Sequence, residues 1–309
     1  MKEIKKPVGK VKTPINNQVN AVSLTEEIHV KTFFVVPDLS LMPEDFLPSF
    51  FLKGFEAYYL LDDQYLDIPS KIRILFSLFP ELIVFINTDR KLGNLDWRSY
   101  IKTLQSEYGE RARIGVLYGK HIGEESRRQL EKFYLDDIGI NCGCIPIEYR
   151  TASNLDLLLG ALTANQANGR RKYLRAICGE TCMFNFIREQ IRLEGRILDV
   201  GISHFSCEFQ GPDPGLQMYE MATDIQLKLA GIICTISAVL FAKRVVGDTV
   251  INVFVFRDSR GQDGLDPDVL SKVNGFIQDR FERAVGALVH KSFDEEIIRQ
   301  REARQAARQ

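Results

Sequence analysis

Nothing in the sequence carries the signature of a familiar enzyme. Its four histidines, His29, His121, His204 and His290, are scattered, and none belongs to an HExxH pair. There is no GxSxG, no GxGxxG and no P-loop, which excludes the recognisable forms of serine hydrolase, dinucleotide oxidoreductase and P-loop nucleotidase. An excess of charge of one sign is also missing: 40 Lys and Arg balance 41 Asp and Glu, for a net charge of −1. General affinity for nucleic acid or an anionic membrane is therefore not expected, and any anion site must be local. Long apolar runs are absent too. The longest uncharged one, Leu229 to Ala242 between Lys228 and Lys243, is shorter than the ~20 residues of a membrane span. It reads as buried strand with a bend near Gly231 and Thr235. The six cysteines are too sparse for a disulfide scaffold. Cys142 with Cys144, and Cys178 with Cys182, miss the C-x2-C spacing of a zinc site. They read as small core residues of a reduced, cytoplasmic protein, and no apolar segment follows the basic first residues to act as a targeting signal.

What is present divides into four parts. At 309 residues the chain is long enough for two domains. Residues 1–26 carry Lys, Pro, Asn and Thr without apolar periodicity and read as a disordered arm. Residues 27–168 alternate strand-like and helix-like stretches. Lys31–Val36 is rich in β formers and stops at Pro37. Pro43 opens a helical stretch with Phe46, Leu47 and Phe50 on one side. Glu56–Leu61 is strand-like, ending at Asp62 and Asp63, and Ser70–Leu78 is helical with Ile72, Leu75, Phe76 and Phe79 in a stripe. Leu82–Ile86 is a continuous apolar run, as in a strand buried on both faces. Asp96 caps a helix, Arg113–Tyr118 is the fourth strand, Glu124–Asp137 a helix, Gly143–Glu148 the fifth strand and Asn154–Asn168 a closing helix. Five such units predict a parallel sheet covered on both faces.

In order and size this half resembles the receiver domain of bacterial two-component systems. That family needs acids after its first and third strands, a hydroxyl after the fourth and a lysine after the fifth. Here the first strand ends in Pro37-Asp38, the third in Asn87-Thr88-Asp89, the fourth in Gly119-Lys120 and the fifth in Glu148-Tyr149. The acid cluster that would bind a divalent ion is incomplete. The half is expected to keep a receiver-like fold without phosphotransfer, with Asp38 and Asp89 as turn formers and caps.

From residue 169 the pattern changes to short, β-branched-rich runs separated by Gly and Asp turns. The runs are Ile177-Cys178, Met183–Phe186, Ile191–Leu198, Phe205–Phe209, Ile225–Leu229, Cys234–Phe241 and Val250–Phe256. Gly211–Gly215 is a turn cluster, and Val246–Thr249 a hairpin tip. A small antiparallel barrel is expected. Asp266 and Pro267 then open a helix whose apolar stripe is Leu270, Val273, Phe276, Ile277, Phe281, Val285 and Leu288. Residues 291–309 carry mixed charge and read as a solvated helical tail.

At the entrance to the barrel stand Arg170, Arg171 and Arg175. Planar guanidinium forks match phosphate oxygens and the Hoogsteen edge of guanine, and they stack on bases. Downstream lies Asp199-Val200-Gly201-Ile202-Ser203-His204. This RxxxR spacing followed by an acid on a strand resembles the PilZ family, whose members bind cyclic di-GMP. The resemblance covers roughly residues 168–290. It implies a six-stranded barrel with a C-terminal helix at residues 169–290. It also implies a linker whose Arg171 and Arg175, with Arg170 before them, wrap the ligand, and Asp199 facing it. The family's D/NxSxxG is incomplete: its Ser place is Gly201 and its Gly place His204, with Ser203 nearby. Reversing the two changes, Gly201→Ser and His204→Gly, is expected to tighten binding.

The reading that results is a non-catalytic cytoplasmic effector. It binds cyclic di-GMP through Arg170, Arg171, Arg175, Asp199, Gly201, Ser203 and His204, and signals through the linker near Asn168 to a protein partner. No metal, no cofactor, no DNA or RNA and no membrane span is expected. The alternative is a PilZ-fold adaptor that has lost nucleotide binding and whose arginines pair with acids such as Asp136 or Asp137.

Overall fold

The computed structural model describes residues 30–36, 42, 46–62, 66–89, 92–148, 153–169 and 171–306. The expected arm, Pro37, Asp38, Pro43, Asp63, Tyr149 and Arg170 lie outside the described residues.

The first half is a five-stranded parallel sheet made of β1 (Lys31–Val36), β2 (Ala57–Leu61), β3 (Leu82–Asn87), β4 (Arg113–Gly119) and β5 (Cys144–Ile147). Their spatial order is β2-β1-β3-β4-β5, the doubly wound order of receiver-type folds. All six residues of β3 are buried, as its unbroken apolar run requires of a strand covered on both faces. One face is covered by α1 (Phe46–Leu52) and α5 (Ser153–Ala164), where Phe34, Phe50 and Phe85 stack. The other is covered by α2 (Ile68–Leu78) and α3 (Trp97–Tyr108). Asp67 and Asp96 cap these two helices, each accepting from backbone N–H groups of the first turn. α4 (Glu124–Glu131) runs into a π-helical turn over Lys132–Ile138, ended by Gly139 in the left-handed conformation.

The second half is a closed antiparallel barrel. Its strands are β7 (Met183–Arg188), β8 (Ile191–Gly201), β9 (His204–Phe209), β10 (Met221–Leu229), β11 (Ile232–Val246) and β12 (Thr249–Arg257). Hydrogen bonding runs β8-β7-β10-β11-β12-β9 and returns from β9 to β8, which closes six strands. Phe184, Phe205, Phe254 and Phe256 fill the interior. The run from Leu229 turns at Ala230-Gly231, both at positive φ. No second bend follows: Thr235 lies within β11, paired with Gln226. A short strand, β6 (Arg175–Ile177), is added to the outside edge of β8.

α6 (Pro267–Ala306) closes the fold. Its 40 residues extend about 60 Å. The carboxylate of Asp266 holds the backbone N–H and hydroxyl of Ser259, which fixes the loop entering the helix. Val273, Phe276 and Ile277 are buried. Along the same helix Asn274 Nδ2 donates to the Pro48 carbonyl (3.0 Å), and Phe281 meets Phe51 edge-on with centroids 5.9 Å apart. The charged residues from 291 continue α6 without a break, and Phe293 packs on the core with Lys71 Nζ 5.8 Å from its ring. One apolar cluster therefore runs from the parallel sheet through α6 into the barrel. Among the described residues no helix is long and apolar enough to cross a membrane.

Candidate functional site

The arginine linker enters the barrel through β6. Arg175 lies opposite Gly201, Ala176 opposite Val200 and Ile177 opposite Asp199. Ala176 and Val200 are buried in the barrel, so strand alternation puts Arg175, Ile177, Asp199 and Gly201 on its outer face. β8 then turns at Ile202-Ser203 and returns as β9. With Phe205 and Cys207 inside, His204 and Ser206 share that outer face. Arg175, Asp199, Gly201, Ser203 and His204 are thus gathered on one corner, as their sequence positions suggested. Arg171 is exposed but close enough for its charge to act on His204.

Asp199 is held from one side. Asp199 lies opposite Ser206, just before the register shifts at a β-bulge between Asp199 and Ile197, and the Ser206 hydroxyl donates to Asp199 Oδ2. Asp199 Oδ1 is buried and has no hydrogen-bond partner among the described residues. Arg175 Nη1 is 4.0 Å from it, beyond a normal hydrogen bond. His204 Nδ1 is 2.8 Å from Ser203 Oγ, while Nε2 is buried and unpartnered. Burial, then the charge of Arg175, hold the imidazole below the ordinary histidine range; Asp199 opposes this, and Arg171 adds to it. An acceptor at Asp199 and an imidazole flanked by guanidinium groups form a corner suited to an anion that also carries N–H donors.

Two departures from the family pattern take physical form here. His204 is not at positive φ, so a glycine is not required by the backbone at that place. A Cβ on Gly201 would stand 3.1 Å from the carbonyl of Leu174. A serine side chain there would meet the arginine linker unless Leu174 gives by a few tenths of an ångström.

Sequence reasoning missed the roles of two groups, although Ser206 also stands on the third place of an alternative register of the motif that begins at Gly201. Ser206 supplies the hydroxyl that Gly201 lacks, from across the hairpin. A two-residue turn at Ile202-Ser203 pairs 201 with 204 and hence 199 with 206, but Ile-Ser carries none of the usual turn signals. Arg280 of α6 donates from Nη2 to the Ile177 carbonyl (3.2 Å), directly opposite Asp199. Its position follows from docking, which helix periodicity does not specify.

The receiver-like pocket is occupied by structural bonds. Asn87 Oδ1 accepts from the Asp89 N–H, and Asp89 Oδ1 accepts from the Gly119 N–H (both 3.0 Å). Lys120 pairs with Glu148 at 3.0 Å. No group of three or more His, Cys, Asp and Glu that could hold a metal occurs among the described residues. The six cysteines are free, and burial pushes the thiols of Cys142 and Cys144 up to about 12, so they stay protonated.

No protein-family model matches the sequence, and no curated protein matches it. Solved structures do. One is the PilZ domain with c-di-GMP of YcgR from Escherichia coli, at 17% identity over 38% of this chain and 97% of that one, TM-score 0.32. K. pneumonia MrkH aligns at 13% identity over 38% of this chain and 52% of that one, TM-score 0.34. The PlzA protein of Borreliella burgdorferi, in complex with c-di-GMP, aligns at 13% identity over 43% and 50%, TM-score 0.25. The chain thus spans about half the length of MrkH and PlzA.

Proposed function

We propose that the barrel half is a PilZ-type receptor for cyclic di-GMP and that the chain is a non-catalytic effector. The observation that carries this reading is Asp199: a carboxylate anchored by Ser206, with its second oxygen buried and unpartnered beside the arginine linker. A buried acceptor left unmet costs free energy, and a guanine N–H edge is a group that would meet it. The two phosphodiesters of the ligand then face Arg171 and Arg175, with Arg170 immediately before them.

Signal transfer has a physical route. The turn after α1 passes Gly54 so close to the linker that a Cβ on Gly54 would lie 2.3 Å from the Lys172 carbonyl. Ordering of the linker by ligand would therefore be felt at the edge of the parallel sheet.

Calorimetry with cyclic di-GMP, with GTP and cyclic di-AMP as controls, tests the reading. Arg171→Ala and Arg175→Ala should each weaken binding by about 1.5–3 kcal/mol, since each removes charge-assisted bonds. Ser206→Ala should weaken it by about 1 kcal/mol through a loosened Asp199. Absence of binding by wild type, or binding indifferent to both arginines, would leave the adaptor reading in front.

A further inference from the structure

At the end of the barrel away from Asp199 the wall opens. β12 pairs with β9 from Val255–His204 to Asn252–Cys207 and no further. Beyond Cys207, β9 stays with β8, while residues Thr249–Ile251 of β12 stay only with β11. The strands diverge around a cleft of about 430 Å³. On one side it has the free edge of β12 at Thr249 and Val250. On the other it has Phe209 and Pro212. An unpaired strand edge presents N–H and C=O groups to any chain that can lie beside it.

A second observation points to an occupant. Asn252, only 2% exposed, lines this cleft. Its Nδ2 donates to the Val250 carbonyl (3.3 Å), which fixes the amide and leaves Oδ1 as the buried atom without a partner. The cleft thus holds an acceptor in need of an N–H donor. Its charged lining residues are all acidic: Glu208, Asp213 and Asp248. Glu208 is paired with Arg196 and Asp213 with Lys243, whereas Asp248, in the exposed β11–β12 turn, has no partner among the described residues. With Glu208 and Asp213 neutralised by their partners, the carboxylate of Asp248 is the charge that the cleft offers to a cation.

We propose that this cleft binds an extended, lysine- or arginine-bearing segment of a protein partner, added as a strand to the free edge of β12. A strand there meets the outward backbone groups of Val250, donates an N–H to Asn252 Oδ1 and sets a basic side chain against Asp248. Its apolar alternate positions lie on Phe209 and Pro212. The cleft is separate from the arginine corner, so the proposal stands or falls independently of nucleotide binding.

The test uses the full chain and two fluorescent peptides of about ten residues, strand length, one alternating Val with Lys and one alternating Val with Glu. Anisotropy should show binding of the Lys peptide and at least about tenfold weaker binding of the Glu peptide. Asp248→Lys, a change in an exposed turn, should weaken the Lys peptide about fivefold. Asn252→Leu should lower affinity while raising the thermal midpoint, a combination that a merely structural asparagine would not give. Hydrogen exchange on peptide addition should slow at Val250, the one amide of the three that faces the open edge. Equal binding of both peptides, no binding at about 1 mM, indifference to Asp248→Lys, or protection elsewhere would each overturn the proposal.

Discussion

His204 binds a proton less readily in the folded chain than in the unfolded one. Burial and the neighbouring Arg175 depress its folded value, with Arg171 adding to the effect against the pull of Asp199. For a depressed base, the unfolded state takes up protons first as pH falls. The stability gained by keeping this imidazole neutral is therefore complete above the unfolded value, about 6.5, and is lost as pH falls through the lower folded value. His204→Gln, which does not titrate, should lose less stability between about pH 7.5 and 5. Urea midpoints of the two proteins across that range check it, and a gap that does not change with pH would contradict it. Because Nε2 is unpartnered, the same residue is the one at which an incoming anion would most change protonation.

At the scale of elements, the α1–β2 turn makes a close joint with the linker between the halves. Gly54 has φ of +84° and its Cβ direction is filled by the Lys172 carbonyl. Gly54→Ala should cost about 2–3 kcal/mol, because strain adds to a backbone collision. Gly139, at φ +78° with nothing within 4 Å of a Cβ, is the matched control and should cost only about 1 kcal/mol on mutation to Ala. Chemical denaturation of the pair separates strain from contact, and equal losses would show that the close approach is not needed. The elements themselves were largely legible: unbroken apolar runs such as Leu82–Ile86 became buried strands, and Gly-Asp turns became hairpins. The candidate site was half legible. Arg175, Asp199 and His204 were singled out because their residue types carry the chemistry. Ser206 was hidden because its role comes from strand register, and register was set here by an Ile-Ser turn. The reach of α6 was hidden for a similar reason: an amphipathic stripe says that a face is covered, not by what.

At the scale of the whole molecule, α6 ties the barrel to the parallel sheet. Cleavage of the linker near residues 165–170 should therefore leave the two fragments together on native size exclusion, held by the contacts of Phe281 and Asn274 with α1. Separation without denaturant would show that the helix does not bridge them. The same helix has a consequence for how the chain comes into being. Asn274 meets Pro48 across 226 residues of sequence, and Gln300 Nε2 reaches Ser70 Oγ (3.4 Å) across 230. During synthesis the parallel sheet emerges first, yet α1 and α2 lack their covering partner until every other element has been made. For that interval the older half of the molecule presents open apolar faces, and its completion must wait for a long loop to close. A chain cut short before α6 is therefore expected to aggregate under conditions in which the full chain does not.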